Sequence, residues 1–273
     1  MKFLVASLFL TGVLALPQPE EVQNFSGIES RIVGGQIAKP HEFPYTVGIR
    51  LIRQKNGVEY TSWCGGALIS NRAVLTAGHC MRNTVRVLLH FACHNRWEKV
   101  EADRVTIEVG KENFIVHEDF KYEYLYNDIA LIMIPDGVEL SDKIQTVNLP
   151  RRSQGALENR MATATGWGKA GYKIGASEVL RFVQLKIVDN YECGNFGTLK
   201  KEQLCADGHG PKSTCEGDSG GPLVLDESDG SKTLVGLTSF GAYTCEDEYP
   251  MVFTRVTSFL DWIGKNTGIK IRD

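Results

Sequence analysis

The sequence predicts an all-β protein with one α-helix at its C-terminal end. Three observations support this fold class: apolar segments are short, clusters of Gly, Asn and Asp separate them, and one late stretch instead shows helical periodicity. Short runs bounded by turn residues are typical of β-strands. The segments that we expect to form strands include residues 45–49, 67–69, 85–89, 129–134, 184–188, 223–225 and 234–239.

The helix is predicted from four apolar residues at i, i+3, i+4 and i+7, a spacing that places them on one helical face. They are Val256, Phe259, Leu260 and Ile263. Thr257 or Ser258 can cap the start of this helix, and Gly264 and Gly268 weaken its end.

The first 16 residues, MKFLVASLFLTGVLAL, predict a secretory signal peptide. They combine a basic start, an apolar centre and a small-residue pattern that ends at Ala15, so we assign residues 1–15 to the signal peptide. A membrane anchor is the alternative, but the apolar run is too short to span well, and no later segment approaches the roughly 18 apolar residues needed. We therefore expect a secreted, extracellular protein without a membrane partner.

Charge gives no reason to expect a nucleic-acid partner. The chain has 30 basic and 33 acidic residues. Lys2 and Arg31, together with three glutamates, precede Ile32, which leaves 28 basic and 30 acidic residues and a net charge of −2 in residues 32–273. Nucleic-acid-binding domains usually carry a basic surface instead.

Seven cysteines in a protein expected to be secreted predict disulfides rather than a metal site. Oxidising compartments let disulfides persist, and no CxxC pair is present to suggest zinc. We expect no metal and no other cofactor. The odd count leaves at least one thiol without an intramolecular partner.

The stretch STCEGDSGGP at residues 213–222 places Ser219 beside Asp218 among glycines. A solvated turn is one interpretation, because glycine adopts backbone angles that other residues avoid. A reactive serine is the other, and it requires a base and a carboxylate elsewhere in the chain. TAGHC at 76–80 supplies His79, and NDIALI at 127–132 supplies Asp128.

These motifs, in the order His, Asp, Ser, resemble those of the chymotrypsin-like, trypsin-fold serine peptidases. The resemblance extends to IVGG at 32–35, WCGGALIS at 63–70, GWG at 166–168 and FTRVTSFLDWI at 253–263. It is nearest to secreted arthropod enzymes of the chymotrypsin, elastase and collagenase types. It implies two packed six-stranded antiparallel β-barrels with a C-terminal α-helix, formed by residues 32–273, and an active site in the cleft between the barrels.

The chemistry of such a site can be argued from the side chains. A serine hydroxyl is a poor nucleophile near neutral pH, so His79 is the expected general base for Ser219. The apolar run after Asp128 would bury its carboxylate, which can then orient and stabilise the imidazole. By the resemblance, the backbone N–H groups of Gly217 and Ser219 form the oxyanion hole.

SRIVGG at 30–35 resembles the activation site of this family. Cleavage after Arg31 would create an α-ammonium on Ile32, which in relatives pairs with the acid beside the nucleophile, here Asp218. Residues 16–31 are then an activation propeptide, and a trypsin-like activating protease is an expected partner. An ordinary exposed linker at Arg31 is the alternative.

Matching cysteine positions to the family implies three disulfides and one cysteine left over. Each disulfide is expected to contribute about 2–4 kcal/mol to stability. We expect the remaining cysteine, Cys93, to be a buried thiol rather than part of an intermolecular bridge. The implied pairs are Cys64 with Cys80, Cys193 with Cys205, and Cys215 with Cys245.

In this family the residue six before the nucleophile lies at the base of the primary specificity pocket. Here that residue is Ser213, and an uncharged base leaves a cationic substrate side chain without a partner, so trypsin-like preference is not expected. Ser239 belongs to the strand that pairs with substrate, and Gly241 leaves one pocket wall open. Met251 replaces a frequent glycine and puts a flexible apolar side chain near the base.

The sequence is compatible with two functions. The first is a secreted, monomeric serine endopeptidase with chymotrypsin-like or elastase-like apolar preference, acting on proteins or peptides and open to protein inhibitors. The second is a catalytically weak binding protein of protease fold, with its pocket closed by Met251. The three catalytic motifs and the activation site favour the enzyme.

Overall fold

The computed structural model describes residues 35–98, 100–171, 174–210, 212–242, 244–245 and 247–273. The predicted signal peptide and propeptide lie outside these residues. The described chain is mostly β-strand with one α-helix at the C-terminal end, which confirms the predicted fold class. Strands from the first half are β1 (Gln36–Ile37), β2 (Thr46–Lys55), β3 (Val58–Ser70), β4 (Ala73–Thr76), β5 (Thr84–Phe91), β6 (Val105–Gly110), β7 (Phe114–Val116) and β8 (Ala130–Met133).

The N-terminal lobe is an antiparallel sheet in the order β6-β5-β2-β3-β4-β8-β7. Its long β2–β3 hairpin turns at Asn56 and Gly57, which both have positive φ (51° and 80°), as the favoured two-residue hairpin turns require. The expectation of a six-stranded barrel is corrected here. The sheet has seven strands, and within the described residues no ladder joins the edge strands β6 and β7, so the lobe is a curled half-barrel.

The C-terminal lobe is a closed barrel of six strands. Antiparallel pairing between β9 and β12 closes the order β12-β13-β16-β15-β14-β9, and β1 adds to the edge of β12. A separate hairpin joins β10 to β11. The strands are β9 (Met161–Gly166), β10 (Lys169–Gly171), β11 (Ile174–Ala176), β12 (Arg181–Val188), β13 (Gln203–Ala206), β14 (Pro222–Asp226), β15 (Lys232–Phe240) and β16 (Met251–Arg255).

The C-terminal helix α1 spans Leu260–Thr267 and follows a 3-10 turn at Val256–Phe259. Gly268 ends it in the left-handed conformation (φ 74°), as glycine commonly does after a helix. The predicted side-chain cap is wrong, because no side chain caps the start of the helix. The Ser258 hydroxyl instead donates to the carbonyl of Lys201.

The two lobes meet along a seam that includes buried apolar residues of both, among them Ile129 and Leu237. The hydroxyls of Thr46 and Thr165 hydrogen-bond across it at 2.8 Å. A side-chain carbon on Gly65 would lie 2.8 Å from the Cα of Gly221, so glycine allows β3 to approach the loop around Ser219. The seam therefore brings the predicted catalytic motifs of both lobes together.

No helix within the described residues is both long enough and apolar enough to cross a membrane.

Candidate active site

The predicted acid and base lie in direct contact. Asp128 precedes β8 and is 1% exposed, whereas His79 lies in a 3-10 turn after β4 and its side chain is 18% exposed. The backbone N–H of His79 donates to Oδ1 of Asp128 at 2.8 Å, and its Nδ1 lies 2.8 Å from Oδ2. An ionised carboxylate only accepts hydrogen bonds, so Nδ1 carries the proton and Nε2 is free to act as a base.

Two further contacts from the C-terminal lobe fix the position of Asp128. The hydroxyl of Ser239 donates to Oδ2 at 2.6 Å, and the hydroxyl of Thr254 donates to the Asp128 carbonyl at 2.6 Å. Hydrogen bonds to the charged form stabilise a buried carboxylate. Sequence reasoning assigned Ser239 only to the substrate-binding strand and missed this contact.

The backbone of Ser219 lies near the His79 ring, with Cys80 between them. The carbonyl of Ser219 accepts from the N–H of Gly65 at 2.8 Å. The Sγ of Cys80 lies 3.7 Å from that carbonyl oxygen and 3.9 Å from Nε2 of His79. Ser219 is partly exposed, so a substrate can reach it from the cleft.

The loop around Ser219 leaves two backbone donors free. Gly217 has a φ of 101°, which a residue with a side chain rarely adopts. The amides of Asp218, Gly220 and Gly221 donate to backbone carbonyls, whereas in the described part of the chain those of Gly217 and Ser219 donate to none. Unpaired neighbouring N–H groups beside a serine are suited to hold a developing oxyanion.

Asp218 is fully buried. Its carboxylate accepts from the N–H of Gly168 at 2.7 Å and of Cys215 at 2.9 Å. Burial raises the pKa of Asp218 to about 6, although these two bonds and the Arg96 charge act against the rise. Among the described residues, no cation lies within ion-pairing distance of this carboxylate, so an added ammonium would stabilise its charge.

The GWG motif provides the space for Asp218. A side-chain carbon on Gly166 would lie 2.1 Å from Oδ1, and one on Gly168 would lie 2.3 Å from Oδ2. Such distances are too short for any side chain, so both glycines are required by the buried acid. The motif was visible in the sequence, but this reason for it was not. Arg31 and Ile32, the predicted activation residues, lie outside the described residues.

Three disulfides form in the pairing that the resemblance implied. Cys93 is a buried free thiol, and burial raises its pKa to about 12, which makes it unreactive. The sulfurs of the first pair and a nitrogen of His79 lie within 4.8 Å of one another, but a disulfide offers no thiolate to a metal. The pairs are Cys64–Cys80, Cys193–Cys205 and Cys215–Cys245.

A cavity of about 490 Å³ opens beside Ser219, and we call it the primary pocket. Its walls include Ser239 and Gly241, and also Lys169 and Ala242, which sequence reasoning did not single out. Lys169 forms an ion pair with Glu216 at the rim.

Ser213 and Met251 lie beneath the primary pocket rather than in its wall. Ser213 is buried, and its hydroxyl donates to the carbonyl of Thr214 at 2.7 Å. Met251 is 1% exposed, and its sulfur accepts from the N–H of Thr214 at 3.0 Å. Its Cγ lies 3.7 Å from where a side-chain carbon of Gly241 would be. Because Thr214 and Gly241 both line the pocket, Met251 lies directly behind two of the lining residues.

Comparisons with known proteins agree with this geometry. The profile of the family described as Trypsin matches residues 32–263. The chain therefore belongs to the trypsin family of serine proteases.

Proteins similar in sequence to this chain come from several animals. The chain is 36% identical to the collagenase of Hypoderma lineatum over 98% of this chain and 99% of that protein. It is 40% identical to brachyurin of Leptuca pugilator (87% and 99% covered) and 36% identical to chymotrypsin-C of Bos taurus (87% and 89%). The solved structure of HL collagenase, 36% identical, matches with a TM-score of 0.77 over 88% of this chain and 100% of that one. The chain is thus a serine endopeptidase, a hydrolase.

Proposed function

We propose that the protein is a secreted serine endopeptidase, made as a zymogen, that cleaves peptide bonds after apolar residues. The observation that carries the proposal is the buried carboxylate of Asp128, which holds His79 through both its backbone N–H and its ring. A structural histidine does not need this double contact, whereas a general base needs a fixed tautomer and orientation.

The reaction follows from the geometry. The hydroxyl of Ser219 attacks the substrate carbonyl and passes its proton to Nε2 of His79, while Asp128 stabilises the imidazolium. The N–H groups of Gly217 and Ser219 bind the oxyanion, and each such donor typically lowers the barrier by about 2.7–4 kcal/mol. His79 returns the proton to the departing amine, which leaves an acyl-enzyme on Ser219. Water then repeats the sequence and releases the acid.

Activation is proposed to depend on Asp218. Cleavage after Arg31 by a trypsin-like protease frees the ammonium of Ile32, and this cation can enter the protein beside the buried carboxylate. The raised pKa of Asp218, caused mainly by burial, supports this step because the ionised acid is disfavoured without a cation. Pairing would hold the loop that carries both proposed oxyanion donors.

Apolar preference is proposed from the floor of the primary pocket. Ser213 offers no charge for an Arg or Lys side chain, and its hydroxyl is occupied by the carbonyl of Thr214. The thioether of Met251 shortens the pocket, which favours Leu, Met or smaller residues over Phe and Tyr. Self-activation after Arg31 is therefore expected to be poor.

Secretion is proposed from the N-terminal leader and is supported by three disulfides, which persist in oxidising compartments. The partners that we propose are protein or peptide substrates, the activating protease and protein inhibitors that fill the same cleft. We propose a monomer.

The buried position of Met251 is the one observation that favours the second candidate, a binding protein with weak turnover. A peptide-library cleavage profile after trypsin processing decides between the two, with Ser219→Ala as the matched control. Cleavage after Leu, Met, Phe or Tyr that is absent in the control supports the enzyme. No cleavage by correctly processed protein would overturn it in favour of the binding protein.

A further inference from the structure

A second cavity, of about 330 Å³, adjoins the proposed oxyanion hole, and we call it the leaving-side cavity. Gly217 and Trp63 line it, and Lys169 and Glu216 are shared with the rim of the primary pocket. In the proposed reaction, the primary pocket takes the side chain before the scissile bond, and the scissile carbonyl points at Gly217. Residues after the scissile bond therefore pass over the leaving-side cavity.

Two cations of this cavity have no carboxylate within ion-pairing distance among the described residues. Arg50 lies exposed on β2, where its partners across the ladders are Trp63 and Leu88, which carry no charge. Arg96 is half-buried, and its Nε is buried without a hydrogen-bond partner. The third cation of the cavity is the Lys169 that pairs with Glu216. The residues that line the cavity therefore carry a net charge of +2, and the Asp218 and Glu178 carboxylates outside the lining also act on Arg96.

Aromatic rings hold Arg96 in place. Its guanidinium carbon lies 4.4 Å from the ring centre of Trp97 and 5.3 Å from that of Trp63. Trp63 in turn stacks on His90 with ring centres 5.6 Å apart and 8° between the planes. Burial, together with nearby Arg charges, lowers the pKa of His90 to about 4, so its ring is neutral at physiological pH. The cation thus stacks against uncharged aromatic rings.

Three residues that line the same cavity also carry polar atoms that are buried and unpaired, and these atoms reach a ligand only if the side chains shift. The indole Nε1 of Trp63 and the hydroxyl of Ser62 are buried without partners, as is Nε of Arg96. An indole N–H and a guanidinium donate and never accept. Positive charge together with unpaired donors matches an anionic acceptor rather than an amine or a hydrocarbon.

We propose that the leaving-side cavity selects substrates with Asp or Glu among the first two residues after the scissile bond, through Arg50 and Arg96. The inference rests on the proposed peptidase function and names the substrate class of the same site. Exposed ion pairs contribute modestly, so two of them give a preference of about three- to tenfold for Glu over Gln. Salt screens exposed charges, so the preference shrinks as ionic strength rises.

The test compares peptides that are identical up to a Leu before the scissile bond and carry Glu, Gln or Lys after it. The readout is the ratio of kcat/KM for Glu to that for Gln, so changes in overall activity cancel. In the processed protein we expect a ratio of about three to ten. In Arg50→Glu we expect the ratio to fall below one. Arg86→Glu is the matched control, because Arg86 also lies on a strand but is already paired with Glu59 at 3.0 Å. The Glu to Gln ratio of this variant should equal that of the parent protein. A parent ratio near one, or one unmoved by Arg50→Glu, overturns the proposal.

A second measurement separates this inference from the proposed function. Ser219→Ala protein is titrated with fluorescein-labelled peptides that differ only in Glu or Gln, and binding is followed by anisotropy. Tighter binding of the Glu peptide, lost in the Ser219→Ala, Arg50→Glu double variant, supports the acidic preference even if no turnover is found. Equal binding of the two peptides overturns it, whatever the activity of the parent.

Discussion

Met251→Ala tests whether the thioether of Met251 forms the floor of the primary pocket. The side chain is 1% exposed and touches both walls, through the N–H of Thr214 at 3.0 Å and the space beside Gly241. Truncation removes the atoms beyond the β-carbon and deepens the pocket. It also leaves the Thr214 amide without its acceptor, unless water enters.

Two magnitudes follow from this position. Buried Met→Ala substitutions cost about 2–5 kcal/mol, and about 2–4 °C of Tm accompanies each kcal/mol in a domain of this size, so we expect Tm to fall by about 4–20 °C. In a hydrophobic pocket one methylene changes specificity by about 10–200-fold. The preference for Phe over Leu should therefore rise at least about tenfold.

The assay uses two peptides that differ only in Leu or Phe before the scissile bond, and it reports their kcat/KM ratio together with Tm. Met161→Ala is the control, because Met161 is 51% exposed on β9 and lies outside the primary pocket. The reasoning is refuted if Met251→Ala is as stable as Met161→Ala and keeps the Phe to Leu ratio of the parent.

Three further variants test the contacts that hold the Ser219 loop and the Asp128–His79 pair in place. Gly168→Ala should abolish activity because its new carbon would overlap the Asp218 carboxylate, whereas Gly175→Ala, with no atom within 4 Å, should be fully active in the same peptide assay. In uncleaved Arg31→Gln protein, burial raises the pKa of the Asp218 carboxyl from 3.8 to about 6. The protonated carboxyl therefore stabilises the fold fully below pH 3.8, and this contribution is lost as pH rises through 6. This pKa shift corresponds to about 3 kcal/mol of stability. The Tm of the uncleaved protein, measured relative to that of the processed protein, should therefore fall between pH 4 and pH 7. A Tm difference that does not change over this range contradicts the assignment. Ser239→Ala removes the third hydrogen bond to the triad carboxylate, and kcat should fall about tenfold with KM little changed; a rise in KM alone would make its role substrate binding.

Much of the fold could be predicted from local patterns. Short apolar runs marked the strands, and the spacing of Val256 to Ile263 marked the C-terminal helix. The helix begins later than predicted, because the first turn is tightened into a 3-10 turn and no hydroxyl caps it. Whether the first lobe closes depends on pairing between β6 and β7, and no local pattern reports on contacts that distant in the chain.

The site shows the same division between local motif and distant contact. His79, Asp128 and Ser219 could be proposed because each lies in a short, distinctive motif. The contact of Ser239 with Asp128 joins residues 111 positions apart, and the cavity that gathers Arg50 and Arg96 is lined by four strands and two loops. Such groupings follow from the packing of the two lobes, so the sequence could not reveal them.

The most direct test of the central claim is covalent labelling of Ser219 by a fluorophosphonate, followed by intact mass and peptide mapping before and after cleavage at Arg31. The account predicts one label on Ser219 in the processed protein, little in the uncleaved Arg31→Gln protein, and much slower labelling in His79→Ala. Failure of the processed protein to react, or equal labelling with and without His79, would contradict a serine activated by the Asp128–His79 pair.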